Sequence, residues 1–243
     1  MARFRNFFST PLGIFFIVAV LAGITVGIYF GIKNNDGSGS GTTNTQNFGQ
    51  NFRVTYYNTE GTNIQDGFST FLEQAMNFWE DKLTEDTRID LDVRASELDD
   101  PRILAYGSMN NRGNIRSGGD ITINLNAVAM SWTDVLKHEI GHVMGIGLAY
   151  KWTNAIIRNE DGAFLRSTEF PETYEVYRDE YGGTFNNIPL GDSAGHFRES
   201  IFTTELMTPY SNEGQVQPAT DLTLSALSSL GWSIDLSKAE ERN

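Results

Sequence analysis

Cysteine is absent from the 243-residue chain. That absence excludes disulfides, thiolate metal ligands, a cysteine nucleophile, a lipid-modified N-terminal cysteine and any latency switch built on a thiol. It also removes the usual sequence clue to redox compartment. Histidine is nearly as scarce: the chain has 3, His138, His142 and His196. Chemistry that needs imidazole must draw on those. Positive charge is the minority sign, with 18 Lys and Arg against 31 Asp and Glu and a net charge of −13. Arg3, Arg5 and Lys33 meet no acid within residues 1–33, so the remainder is more acidic than the whole. Such a surface argues against a nucleic-acid partner and favours solubility, cationic partners or a salty medium.

Long apolar runs are confined to one place. Leu12 to Ile32 reads LGIFFIVAVLAGITVGIYFGI without a charge. At about 1.5 Å per helical residue it matches a hydrocarbon core of about 30 Å. It is longer than the core of a cleaved signal peptide, and no small-x-small site follows it. The expectation is an uncleaved transmembrane signal anchor behind a short basic segment, 1–11. Arg3 and Arg5 put the N-terminus in the cytoplasm and the bulk outside, with Lys33 narrowing the bias. Secretion after signal cleavage is the alternative. Residues 33–50, rich in Gly, Ser, Thr and Asn, read as a flexible tether. A folded domain is expected over 51–236, followed by a polar tail at 237–243.

The domain reads as α+β. Phe52 to Tyr57 has strand composition. Ile64 to Leu83 carries one broad apolar helical face: Ile64, Phe68, Phe71, Leu72, Ala75, Phe78, Trp79 and Leu83. Arg88 to Arg94 alternates, with Asp90 and Asp92 on its polar side. Those acids make calcium conceivable, although a solvated strand face accounts for them as well. Ile103 to Gly107 is a short strand and Ile121 to Asn126 another. The latter is expected to form a sheet edge on which an extended peptide pairs.

Next comes Lys137-His138-Glu139-Ile140-Gly141-His142-Val143-Met144-Gly145. Histidines four apart share one helix face, so both imidazoles can converge on one metal ion, with Glu139 turned to a water. This is the HExxH arrangement of zinc hydrolases, in which the glutamate is general base and not ligand. A zinc site with one open position needs three protein ligands, and His196 completes the inventory. A downstream carboxylate is the rival third ligand: Glu175 with Asp179 has helical spacing, and Glu160 and Glu172 are also available. Ser131 can cap the helix, with Asp134 in its first turn. Gly145 can end it in a left-handed conformation. The form HExxHxxG opens the signature of metzincin zinc proteases. Compact metzincins place a third histidine three residues after that glycine, where this chain has Leu148. Residues 146–195 are rich in aromatics and read as a folded insertion.

After the insertion come His196, then Glu205-Leu206-Met207-Thr208-Pro209, then Thr223-Leu224-Ser225-Ala226-Leu227-Ser228-Ser229-Leu230-Gly231-Trp232. With HEIGHVMG, these stretches resemble the leishmanolysin-like (gp63-type) metzincin metallopeptidases over roughly residues 100–232. The resemblance implies a metzincin-like zinc protease domain: a mixed sheet, an active-site helix and a C-terminal helix. It makes His138, His142 and His196 the ligands of one catalytic Zn2+ and Glu139 the base. Met207 becomes the methionine of the turn beneath the metal. Tyr210 is a candidate oxyanion helper, offset by one residue from the position some metzincins use. The implied activity is a membrane-anchored, extracytoplasmic zinc endopeptidase acting on peptide or protein substrates. Familiar members are cysteine-rich with a longer pro-segment, so their latency and disulfide stability do not carry over. A tethered, non-catalytic binding or adhesion domain on the same fold is the alternative.

Overall fold

Phe52, Val54 and Tyr56 alternate with Arg53, Thr55 and Tyr57, and the chain uses that period to build a sheet with one dry face. The computed structural model describes residues 16–17, 42–58, 63–129, 131–211 and 216–242. Strands β2 (Thr42–Phe48), β3 (Phe52–Asn58), β4 (Ile89–Ser96), β5 (Ala105–Met109) and β6 (Gly119–Asn124) form one sheet. Their order is β2-β3-β4-β6-β5. The inner three run parallel, and an antiparallel strand closes each side. On the dry face lie Phe52, Val54, Tyr56, Ile89, Leu91, Val93, Ile121 and Ile123, all buried.

Helices α1 (Ile64–Glu80) and α2 (Trp132–Val143) pack together over that face. Asn63 caps α1 by accepting the Asp66 N–H. Trp79 Nε1 donates to the Lys137 carbonyl of α2 at 2.9 Å, fixing one helix against the other. The expected apolar face is narrower than its sequence. Phe71 is 36% exposed. Leu83 lies beyond the helix, in an isolated bridge to Ile234.

The opposite face of the sheet is a lattice of ion pairs. Arg53 and Arg88 hold Asp90, and Arg94 holds Asp92 and Asp120. Tyr57 donates to Asp92 as well. The carboxylates that made calcium conceivable are thus neutralised by arginine.

Three expectations change. Thr42–Phe48, assigned to the tether by composition, is β2, paired with β3 along its whole length. Backbone hydrogen bonds and β-branched threonines suffice for an edge strand whose side chains stay largely in solvent. The strand before α2 is not an edge: β6 pairs with β4 on one side and β5 on the other. The free edge next to α2 belongs to β5, two residues later than expected. The basic segment, the apolar run and residues 33–41 lie outside the described residues. The exception is Phe16–Ile17 (β1), which pairs antiparallel with Tyr210–Ser211 (β10). No helix among the described residues is long and apolar enough to cross a membrane.

Residues 146–195 carry secondary structure of their own. They supply α3 (Tyr150–Asn154), the hairpin β7 (Ile156–Asn159) and β8 (Gly162–Leu165), α4 (Pro171–Glu180) and β9 (Ile188–Leu190). Trp152 stacks edge-on with Phe170 and Phe197 at their centre. Beyond the short α5 (Glu199–Phe202), helix α6 (Asp221–Leu230) packs on α4. It ends at Gly231 with φ +111°, and Trp232 Nε1 then donates to the Met144 carbonyl at 2.7 Å.

Candidate metal centre

Ser131 starts α2 by accepting the Asp134 N–H at 3.2 Å, and Asp134 adds a carboxylate at the positive helix end. The helix then runs inward, so that its last two turns, carrying His138, Glu139 and His142, are buried. Past Val143 the chain reverses at Gly145, with φ +115°. That reversal brings the Ile146 carbonyl to His142 Nδ1 at 2.8 Å.

A carbonyl can only accept, so His142 carries its proton on Nδ1 and leaves Nε2 bare. His138 is fixed the same way by the Leu206 carbonyl, 2.6 Å from its Nδ1. His196 arrives from the far end of the insertion. Its carbonyl accepts the Gly191 N–H, and the Phe197 N–H is held by the Met207 carbonyl. The three Nε2 atoms converge, 2.9 Å apart for His138 and His142, 3.1 Å for His138 and His196, 3.2 Å for His142 and His196. Bare lone pairs facing each other at 2.9 Å repel unless a cation lies between them. The arrangement can therefore hold a metal ion. Burial pushes the His138 imidazolium down to about 4. Burial and the neighbouring imidazoles hold His142 and His196 well below the usual range. All three are neutral at pH 7, the form a metal needs.

Glu139 is completely buried, and no hydrogen bond of good geometry reaches either carboxylate oxygen among the described residues. Burial pushes its carboxyl up to about 8, with the Gly107 backbone amide pulling weakly the other way. An unpaired carboxyl in a dry site is costly, and functional sites are where proteins carry such costs.

Met207 is buried beneath α2. A Cβ on Gly141 would lie 2.7 Å from Met207 Sδ and 3.2 Å from its Cε, so any side chain there must displace the end of the methionine. Gly141→Ala sets two effects against each other. Alanine gains about 1 kcal/mol of helix propensity, while overpacking costs about 1–3 kcal/mol. We expect Tm to fall by a few degrees and metal affinity to drop severalfold. An unchanged melting curve would mean that Met207 yields freely.

Tyr210 is half-buried in β10, where its carbonyl accepts from Gln217 Nε2 at 2.7 Å. The rival carboxylates lie elsewhere. Glu172, Glu175 and Asp179 line a groove of about 290 Å³ between α4 and α6 with Glu180 and Asp221. Glu160 is exposed at the tip of the β7–β8 hairpin. Sequence reasoning missed the two carbonyls that aim the imidazoles, and it missed Glu205. A lone acid beside Leu206 and Met207 was the available signal, because acids within apolar stretches are seldom buried without a task.

No family model matches the chain, and neither a curated protein nor a solved structure does.

Proposed function

We propose that the chain is a zinc-dependent endopeptidase with the leishmanolysin-like metzincin arrangement, tethered outside the membrane by its apolar N-terminal run. One observation carries this reading: three buried imidazole Nε2 atoms converge beside an unpaired buried glutamate on the same helix. Tetrahedral zinc with bonds of about 2.0–2.1 Å places its nitrogens about 3.3 Å apart, close to the observed spacing. His138, His142 and His196 would hold the ion. When bound, zinc supplies a Lewis acid that polarises a peptide carbonyl and acidifies a water.

The chain's own residues do the rest. Glu139, held beside the ligands by α2, takes a proton from the attacking water and delivers it to the departing amine. The C–N bond breaks, and water's oxygen and two hydrogens are shared between the new carboxyl and amine ends. The free edge of β5, whose Gly107 faces Glu139, offers backbone pairing to an extended substrate.

The test is metal content and casein cleavage by the full-length chain before and after a chelator. One zinc per chain, with cleavage lost to the chelator and restored by zinc, is the expected result. Zinc bound without hydrolysis would favour the tethered binding domain. No zinc at all would return the HExxH stretch to coincidence.

A further inference from the structure

We propose that Glu205 is a positioning residue for the metal centre: it ties the turn carrying the Leu206 carbonyl to the start of α6, and so aims His138. The inference rests on the metal-centre reading above. Glu205 is 1% exposed, yet its carboxylate is well supplied with donors. Thr220 Oγ1 and Thr223 Oγ1 donate to its two oxygens through short hydrogen bonds. The Thr220 N–H follows at 3.3 Å and the Tyr181 hydroxyl at 3.4 Å. Thr220 is the N-cap of α6 and Tyr181 ends α4, so one side chain joins the metal-side turn to two helices. The positive end of α6 suits an anion there.

The backbone around Glu205 leaves little slack. Its carbonyl accepts both the N–H and the hydroxyl of Thr208, at 3.1 and 2.8 Å. The Leu206 N–H donates to Pro218 and the Met207 carbonyl accepts from Phe197. Between these fixed points the Leu206 carbonyl faces His138 Nδ1. The partner that orients a ligating imidazole sets its tautomer and aim, and losing such support costs about 10–100-fold in metal affinity. Burial pushes the Glu205 carboxyl up to about 7 while its donors pull it down. Glutamine keeps the shape but presents an amide N–H₂ to groups that are already donors.

The experiment is a zinc-affinity titration against a chromophoric competitor, with a melting curve for each variant. Full-length wild type, Glu205→Gln, Thr223→Val and Thr223→Ser are compared. Expected is a 10–100-fold loss for Glu205→Gln, a severalfold loss for Thr223→Val, and affinity restored in Thr223→Ser, which regains the hydroxyl. A purely structural role would lower Tm and leave the folded fraction's affinity unchanged, and that result overturns the proposal. Should Glu205→Gln fail to fold, the valine and serine pair decides by the same criterion. A wild type that binds no zinc would instead remove the metal centre itself.

Discussion

Glu139→Gln should lower kcat for peptide hydrolysis by about 10²–10⁴ while leaving one zinc per chain, because it removes the proton carrier and no ligand. Its second effect is on stability and runs the other way. In the metal-free chain, burial raises the Glu139 carboxyl from 4.5 to about 8. Between those values the folded state holds a proton that the unfolded state has released. Stability tied to this group is therefore full below pH 4.5 and lost as pH rises toward 8. Glutamine does not titrate, so the variant gains on wild type across that window by about 5 kcal/mol. Chemical denaturation of both metal-free proteins at several pH values, beside their steady-state kinetics, checks the two halves together. A variant that is inactive and also less stable at high pH would mean that Glu139 is a packing residue.

His196→Ala should weaken zinc binding by about 10³-fold or more, because two imidazoles on one helix face remain and neither can enclose the ion. Glu175→Gln should leave the affinity unchanged, since Glu175 lines the groove between α4 and α6 with Glu172 and Asp179. Equilibrium dialysis of the three proteins against buffered zinc separates the cases. Zinc retained at wild-type affinity after loss of His196 would hand the third position to a carboxylate and overturn the proposed leishmanolysin-like arrangement.

Much of the centre was legible because its determinants are local. His138 and His142 share a helix face by spacing alone, and Ser131 and Gly145 mark that helix by rules that act within a turn or two. His196 was legible by scarcity. What was hidden depends on distant pairing. In Thr42–Phe48 only the threonines hint at a strand, and the partner β3 supplies the rest of the reason. The identity of the edge strand likewise follows from β5 folding back beside β6, which alternation within either stretch cannot reveal. Glu205 escaped notice because its donors, Thr220, Thr223 and Tyr181, lie on segments separated from it in sequence. The apolar run remains a reading of composition.

The two indoles that grip α2 have a mechanical consequence. Trp79 holds the Lys137 carbonyl just before the first histidine, and Trp232 holds the Met144 carbonyl just past the second. A rod pinned at one point can still roll about its axis; pinned by rigid planar groups at its middle and at its C-terminal cap, it cannot. The angular setting of His138 and His142 is thereby decided when α1 and the segment after α6 dock. An arriving ion meets a receptacle already cut to shape, and the entropy of aiming its ligands has been spent during folding.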